Sequence, residues 1–434
     1  MRIRPVSSLQ GEIHLPPDKS ISHRYAILGA MATGTTRISN FSNSQDCQST
    51  LECLRKLGIR IRQSANEVEI ESRGWREFQQ PLESLDAGNS GTTMRLVSAL
   101  LAASPFVSTI QGDESLNRRP MRRIIRPLTQ MGARIEANNR EYPPLRITGS
   151  QLQGIHYGLP VPSAQVKSCV LLAGLMAQGE TTLVEEIPSR DHTERALPFF
   201  KVVLEREDHQ LMVSGPASLK AAKMQIPGDF SAAVYFIMAA LLIPEAEICL
   251  RRVGVNPSRT GLLTLLEQAG AAVEKTHFAE FNDEPVCNLG VRFRPRPLKR
   301  FPTEISGHWI PNLIDEIPVL AVLGTRLEQG LTIREAGELR KKESDRIHSV
   351  VVNLRNLGVR VEEFPDGFHI PPGQAIQGGK VQTFADHRIA MAFAIAGLIA
   401  KQPVELDNPS CVSVSFPDFF QRLQSIGLYT TQSG

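Results

Sequence analysis

The sequence predicts an α/β protein built by repetition, and three observations carry that reading. First, the segments beginning at Leu54 (LRKLGIRI), Leu128 (LTQMGARIEA), Leu266 (LEQAGAAVEK), Leu354 (LRNLGVRVEE) and Leu423 (LQSIGLY) share one pattern. Each reads as the last turn of an amphipathic helix, one glycine, then a short alternating strand. Second, the glycine stands where a helix end favours a left-handed residue. Third, Gly58, Gly132, Gly270, Gly358 and Gly427 are 74, 138, 88 and 69 residues apart, and 138 is twice 69. A sixth, degenerate copy is therefore expected near residue 201, where LPFFKVVLEREDHQLMV shows a helix end and a strand without the glycine. The chain reads as six units of about 70 residues.

In chain order, MRIRPVSSLQGEIHL reads as a first strand and turn, not as a charged stretch followed by an apolar targeting core. Helices are then predicted to open at PPDKSISHRYAIL, GNSGTTMRLVSALL and PSAQVKSCVLLAGLMA, and later at EIPVLAVLG, KKESDRIHSVVVNL and ADHRIAMAFAIAGLIA. All of these but EIPVLAVLG start from a polar turn with a cation close by. Exposed backbone N–H groups and the helix dipole make such a terminus suited to anions. The cations at these starts are Lys19, Arg24, Arg95, Lys167, Lys342, Arg346 and Arg388. Taken singly, Ser20, Thr92 and Ser163 suit helix capping. As a set, the starts suit one or two phosphorylated or carboxylated small molecules. No P-loop and no G-x-G-x-x-G occurs, so no nucleotide cofactor is implied.

Composition excludes other classes. The 434 residues are 41% apolar and 21% charged with net charge +3, ordinary for a globular protein of two or three domains and too weakly basic for a nucleic-acid binder. The six cysteines (Cys47, Cys53, Cys169, Cys249, Cys287, Cys411) are scattered without a C-x-x-C, which argues against a zinc site or disulfide framework. The longest apolar stretches, FIMAALLIP and AMAFAIAGLIA, fall well short of the ~18 residues of a membrane span. A cytoplasmic location is expected.

Seven segments, PPDKSISHR, GNSGTTMR, GDESLNRRPM, PSAQVKS, LIDEIPVLA, RKKESDR and DHRIAM, occur in this order across the chain. Together with the C-terminal NPSCVSVSFPDFF they resemble the motifs of the 5-enolpyruvylshikimate-3-phosphate synthase family over essentially the whole chain. The resemblance implies a two-domain enolpyruvyl transferase fold of six βαβαββ units, three per domain, around an interdomain cleft. The domains would be 1–17 plus 229–434, and 18–228 inserted between them. The implied reaction moves the enolpyruvyl group of phosphoenolpyruvate to the 5-hydroxyl of shikimate 3-phosphate and releases phosphate, with no metal or organic cofactor. The implied partners are these two small molecules, with no nucleic acid and no membrane, and a monomer is expected.

The resemblance also assigns residues. Glu343 is the candidate to protonate the enol carbon and later remove that proton, with Lys19 as a second candidate donor. Asp315 would act as base for the attacking hydroxyl, although its position also suits an N-cap for EIPVLAVLG. Lys19, Asn89, Gly91, Thr92, Arg119, Gln165, Arg346 and Arg388 match phosphoenolpyruvate-binding positions. At Gly91 a methyl would intrude on the ligand. Lys19, Ser20, Arg24, Ser163, Ala164, Gln165, Ser189, Arg190, Asp315 and Lys342 match shikimate-3-phosphate-binding positions. His387 stands beside Arg388 as a further possibility, against a structural role. In RKKESDRI, Lys342 and Arg346 would lie one helical turn apart, flanking Glu343, and Lys341 would face solvent.

Departures are Val414, where many members carry lysine, Leu96 in place of proline, and SRDHTER in place of an aromatic-containing loop. They suggest a divergent branch. Gly91 argues for retained sensitivity to glyphosate, which occupies the phosphoenolpyruvate site in the family. The sister enzyme, UDP-N-acetylglucosamine enolpyruvyl transferase, typically carries a cysteine in the loop matching GDESLNRRP, and none occurs between Cys53 and Cys169. A catalytically silent binding protein on the same scaffold would tolerate loss of Glu343 or Asp315, and both are present.

Overall fold

A computed structural model of the chain describes residues 1–295, 298, 300–427 and 430–431. Two compact units emerge. One comprises Met1–Pro16, Gly228–Ala279 and Pro285–Gly434, the other Pro17–Pro227 and Glu280–Glu284. Nothing in the sequence signals that residues 280–284 group with the second unit. Each unit buries its own apolar core.

The described strands form six four-stranded sheets with one repeated order. In one of them, Glu304–Ile305 runs parallel to Leu331–Ile333, which pairs antiparallel with Gly367–Ile370, which pairs antiparallel with Glu362–Phe364. Two sheets borrow a strand from the far end of their unit. Lys223–Gln225 completes the sheet of Thr33–Ser39 in parallel register, Met224 opposite Ile38. The N-terminal Arg2–Ile3 lies between Val404–Leu406 and Thr430–Thr431. Strand exchange of this kind completes the four-stranded order in both sheets, with Lys223–Gln225 at an edge and Arg2–Ile3 inside.

Two helices serve each sheet, and the sequence separates them. Lys19–Met31, Gly91–Ala102, Ala164–Met176, Phe230–Leu242, Ile317–Gly324 and His387–Leu398 are apolar nearly all round and are almost wholly buried. The second helices, Gln45–Lys56, Arg122–Gln130, Gly261–Gln268, Arg346–Asn356 and Phe419–Ser425, are followed by the five glycines, all at positive φ (87°, 116°, 82°, 79° and 124°). The sixth copy closes on Lys201, whose φ is +63°. The left-handed site is thus kept and the residue type is not, so this boundary carries no glycine in the sequence. Leu428 and Tyr429, the start of the strand expected after Gly427, lie outside the described residues.

All six cysteines are free thiols, and burial pushes Cys47, Cys53 and Cys169 up to about 12. Among the described residues no helix is long and apolar enough to cross a membrane.

Candidate active site

The sequence-predicted residues fall into two constellations, one in each unit. In the 17–227 unit three buried helices begin close to polar side chains. Asp18 caps the Lys19 helix by accepting from the Ile21 amide (2.9 Å), and Ser90 caps the Gly91 helix through the Thr93 amide (3.1 Å). Ser163 caps the Ala164 helix through the Val166 amide (3.4 Å). Capping was thus correctly expected of Ser163. Ser20 and Thr92 are not the caps and sit two residues further in, within the first turn.

Their neighbours form a connected set. Arg95 donates to Gln165 Oε1 (2.8 Å) and to the Gly91 carbonyl (3.1 Å), and Gln165 Nε2 donates to Thr92 Oγ1 (2.9 Å). A Cβ at Gly91 would lie 2.6 Å from Arg95 Nη1, so the intrusion expected there falls first on a guanidinium of the protein. Arg119 donates to Asn89 Oδ1 (2.6 Å) and Ser115 Oγ (3.2 Å), and Asn89 Nδ2 donates to Asp113 (2.7 Å). Lys19 Nζ is 2.7 Å from Asp46 Oδ2.

Arg24 is buried and tied to Thr193 Oγ1 (3.0 Å), Ser168 Oγ (2.9 Å) and the carbonyls of Ser20 and Ala164. Burial lowers its pKa to about 10, with the Glu194 charge opposing the shift. Lys167 is a correction to the picture of ligand-facing cations. It is fully enclosed, paired with Glu185 (2.9 Å) and Glu194 (2.8 Å), and donates to the Ser189 carbonyl (3.0 Å). Ser189, next to Arg190, bonds through both amide and hydroxyl to Glu185.

The second constellation gathers Asp315, Lys342, Glu343, Arg346, His387 and Arg388. Asp315 Oδ1 is 3.5 Å from Arg346 Nη1 and 3.8 Å from Lys342 Nζ, and its Oδ2 is 3.6 Å from Arg388 Nη2. Three cations therefore surround one carboxylate at separations longer than a direct hydrogen bond. Arg346 Nη2 also donates to Glu343 Oε2 (2.6 Å), so one guanidinium joins both candidate carboxylates. The capping alternative for Asp315 fails, because the Ile317 helix has Glu316 at its N-cap position.

The expected helical spacing of Lys342 and Arg346 also needs correcting. The helix begins at Arg346 behind an Asp345 cap, while Lys342 is extended at the end of a 3₁₀ turn, Gly337–Lys341. Both cations nevertheless reach Asp315. Arg340 is structural, bonded to Asp345 (2.6 Å), Glu363 (3.0 Å) and the carbonyls of Phe364 and Pro365. Lys341 is exposed beside Glu338, as expected.

Asp386 is the residue that sequence reading quoted without assigning. It is wholly buried, accepts from Arg346 Nε (2.8 Å), Arg346 Nη2 (3.2 Å) and Ser344 Oγ (3.0 Å), and caps the His387 helix through the Arg388 amide (2.9 Å). Burial would raise its carboxyl, and the Arg346 charge more than reverses this and holds it below the ordinary value. Burial likewise disfavours the Arg346 cation, yet Asp386 and Glu343 drive its pKa above the ordinary guanidinium range. An aspartate directly before a buried helix is a cap signal that could have found it. Glu316, enclosed between Arg259 (3.0 Å) and Ser231 (3.2 Å), had no such signal because its partners are remote in sequence. The arrangement offers two carboxylates for proton transfer, set among fixed cations that can hold anionic oxygens. Among the described residues no group of three or more His, Cys, Asp or Glu is placed for a metal ion.

Known proteins resemble this chain over nearly its whole length. A family model described as EPSP synthase (3-phosphoshikimate 1-carboxyvinyltransferase) matches residues 3–423. The 3-phosphoshikimate 1-carboxyvinyltransferase of Solibacter usitatus is 48% identical over 98% of this chain and 99% of its own length. That of Bacillus subtilis is 44% identical over the same shares. The solved EPSP synthase of Acinetobacter baumannii superposes with TM-score 0.86 at 37% identity, covering 99% of both chains. The enolpyruvyl transferase NikO of Streptomyces tendae shares the fold at TM-score 0.80 and 17% identity, over 100% of this chain and 99% of its own. The chain belongs to the EPSP synthase (3-phosphoshikimate 1-carboxyvinyltransferase) family.

Proposed function

We propose that this protein transfers the enolpyruvyl group of phosphoenolpyruvate to the 5-hydroxyl of shikimate 3-phosphate. The observation that carries the proposal is the shared guanidinium: Arg346 joins Glu343 and Asp315, with Lys342 and Arg388 beside them. The reaction needs an acid for a carbon, a base for a hydroxyl, and cations for two carboxylates and two phosphates. Glu343 delivers a proton to the CH2 carbon of phosphoenolpyruvate, and the cationic character at the neighbouring carbon draws in the hydroxyl oxygen. Asp315 takes the hydroxyl proton as the new C–O bond forms. The phosphate then leaves with its bridging oxygen, and Glu343 removes a proton from the methyl group to restore the double bond. Lys19 remains the competing donor for the first step.

Arg119, Arg346, Arg388 and Lys19 are assigned to phosphoenolpyruvate, with Asn89, Gly91, Thr92 and Gln165 beside it. Ser20, Arg24, Ser163, Ala164, Ser189, Arg190 and Lys342 are assigned to shikimate 3-phosphate. Guanidinium forks suit carboxylate and phosphate because they donate in pairs. The steps are redox-neutral and call for no group carrier. A monomer suffices, since every assigned group comes from one chain.

Phosphate release in the presence of both substrates tests the assignment. Glu343→Gln and Asp315→Asn should each lower kcat by at least roughly 10²-fold while shikimate 3-phosphate still binds. Turnover within a factor of a few of wild type in either variant would remove that residue from its role. Release with UDP-N-acetylglucosamine but not with shikimate 3-phosphate would reassign the acceptor.

A further inference from the structure

Residues 280–284 form the tip of a hairpin whose strands are Ala272–Phe281 and Glu284–Arg292. Its two-residue turn, Asn282 and Asp283, has φ of +52° and +64°, the conformation that tight hairpins use and that Asn and Asp adopt most readily after glycine. The tip is fixed from both sides. Asn282 Oδ1 accepts from the Gln225 amide (2.7 Å) and its Nδ2 donates to the Lys223 carbonyl (3.2 Å), while Arg195 Nη1 donates to the Asp283 carbonyl (2.6 Å). This construction carries the Glu284 carboxylate to a wholly buried position, where it accepts from His192 Nδ1 at 2.7 Å.

His192 opens a helix of only five residues, His192–Ala196. So short a helix cannot hold itself in place, and its position comes from its anchors. Three consecutive side chains provide them. His192 meets Glu284, Thr193 accepts from Arg24 Nε and lies 2.7 Å from Ser168 Oγ, and Glu194 pairs with Lys167. Lys167 in turn holds the Ser189 carbonyl beside Arg190. Displacing His192 would therefore move the supports of Arg24, Ser189 and Arg190 together. The Glu284–His192 contact is buried on both sides, so removing either group takes away a hydrogen bond that the other makes where water does not replace it.

We propose that Glu284 and His192 are positioning residues for shikimate 3-phosphate, acting through Thr193 and Glu194 on Arg24 and the Ser189–Arg190 loop; this rests on the function proposed above. The test is the Kd of shikimate 3-phosphate, measured by titration calorimetry on the full chain without phosphoenolpyruvate. Melting temperature and kcat at saturation are recorded beside it. Glu284→Ala and His192→Ala are expected to raise Kd at least roughly tenfold, with kcat within threefold of wild type. Glu284→Gln keeps an acceptor for His192, and His192→Asn keeps a donor in the place of Nδ1; both should stay within threefold. A purely structural role would lower the melting temperature and leave Kd alone. Folded alanine variants whose Kd lies within twofold of wild type would overturn the proposal, as would a fall in kcat at unchanged Kd. Should the alanine variants not fold, Glu284→Asp withdraws the carboxylate by one methylene and is expected to raise Kd threefold or more, and an unchanged value overturns the proposal equally. A wild-type chain that binds no shikimate 3-phosphate would sink the proposed function instead.

Discussion

Replacing Arg346 with methionine removes the guanidinium that organises the second constellation, and with it the buried pair to Asp386. Arg346 and Asp386 are both almost wholly enclosed, and two hydrogen bonds at 2.8 and 3.2 Å join them. Removing one partner of a buried pair destabilises by about 3–5 kcal/mol, because a charge is left without compensation. Asp386 retains the Ser344 hydroxyl and the Arg388 amide, which places the expected loss near the lower end, about 3 kcal/mol. For a unit of roughly 200 residues that is a fall in Tm of about 6–12 °C. Methionine fills most of the volume, so little of this arises from a cavity.

The assay is a double-mutant cycle of Arg346→Met, Asp386→Asn and the two combined, by thermal and urea unfolding near neutral pH. A coupling energy of at least about 1.5 kcal/mol is expected. The pH dependence gives an independent check on sign. In the wild type the Asp386 carboxyl lies below its unfolded value of 3.8, so the pair stabilises above 3.8 and its contribution is lost as pH falls through the folded value. In Arg346→Met burial acts on Asp386 with the opposing guanidinium removed, and its folded pKa rises above 3.8. The variant's deficit should therefore narrow on acidification toward about pH 4. A loss under about 1 kcal/mol, additive single effects, or a deficit that widens in acid would refute the reasoning.

Two further outcomes follow from local geometry. Lys201 holds a left-handed conformation that glycine adopts without strain, so Lys201→Gly should leave stability unchanged or raise it by up to about 1 kcal/mol; a loss beyond that in urea unfolding would contradict the reading of a sixth repeat boundary. His23 is buried against Thr50 (2.7 Å), and burial, then the charges of Lys19 and Arg24, holds its pKa well below 6.5. The unfolded chain therefore takes up the proton first, and this share of stability, complete above 6.5, is lost as pH falls below it by about 1.4 kcal/mol per unit. His23→Asn should flatten that slope by an amount that grows from near zero at about pH 7.5 toward one proton at about pH 5.5, and equal slopes in both proteins would count against it.

The repeat was legible in the sequence because helix ends obey a local rule. Glycine at a left-handed position and an alternating strand after it can be recognised in eight residues, and five of six boundaries carry both. The buried helices were legible as apolar runs for the same reason. What stayed hidden is pairing across long stretches of chain. The parallel strand Lys223–Gln225 beside Thr33–Ser39 has no local signature, and neither has the turn at Asn282 and Asp283 that carries Glu284 to His192. A short polar turn between alternating segments announces a hairpin, but not the surface on which its tip lands.

The run RKKESDRI shows the same division inside the site. Charge alone could not separate its members, since Arg340, Lys342 and Arg346 look alike in sequence. Their backbones separate them. Arg340 lies in a 3₁₀ turn and makes four hydrogen bonds to carbonyls and carboxylates of its own unit, which holds the turn. Lys342 is extended and keeps a third of its side chain exposed near Asp315. Arg346 begins the helix and is enclosed by three carboxylates, Asp315, Glu343 and Asp386, so its own charge is spent on holding acids in place. A cation shared among three carboxylates attracts a substrate anion less than its sequence suggests. The anion-binding strength of this constellation should then draw more on Lys342 and Arg388 than on Arg346, which also sets where Glu343 and Asp315 stand.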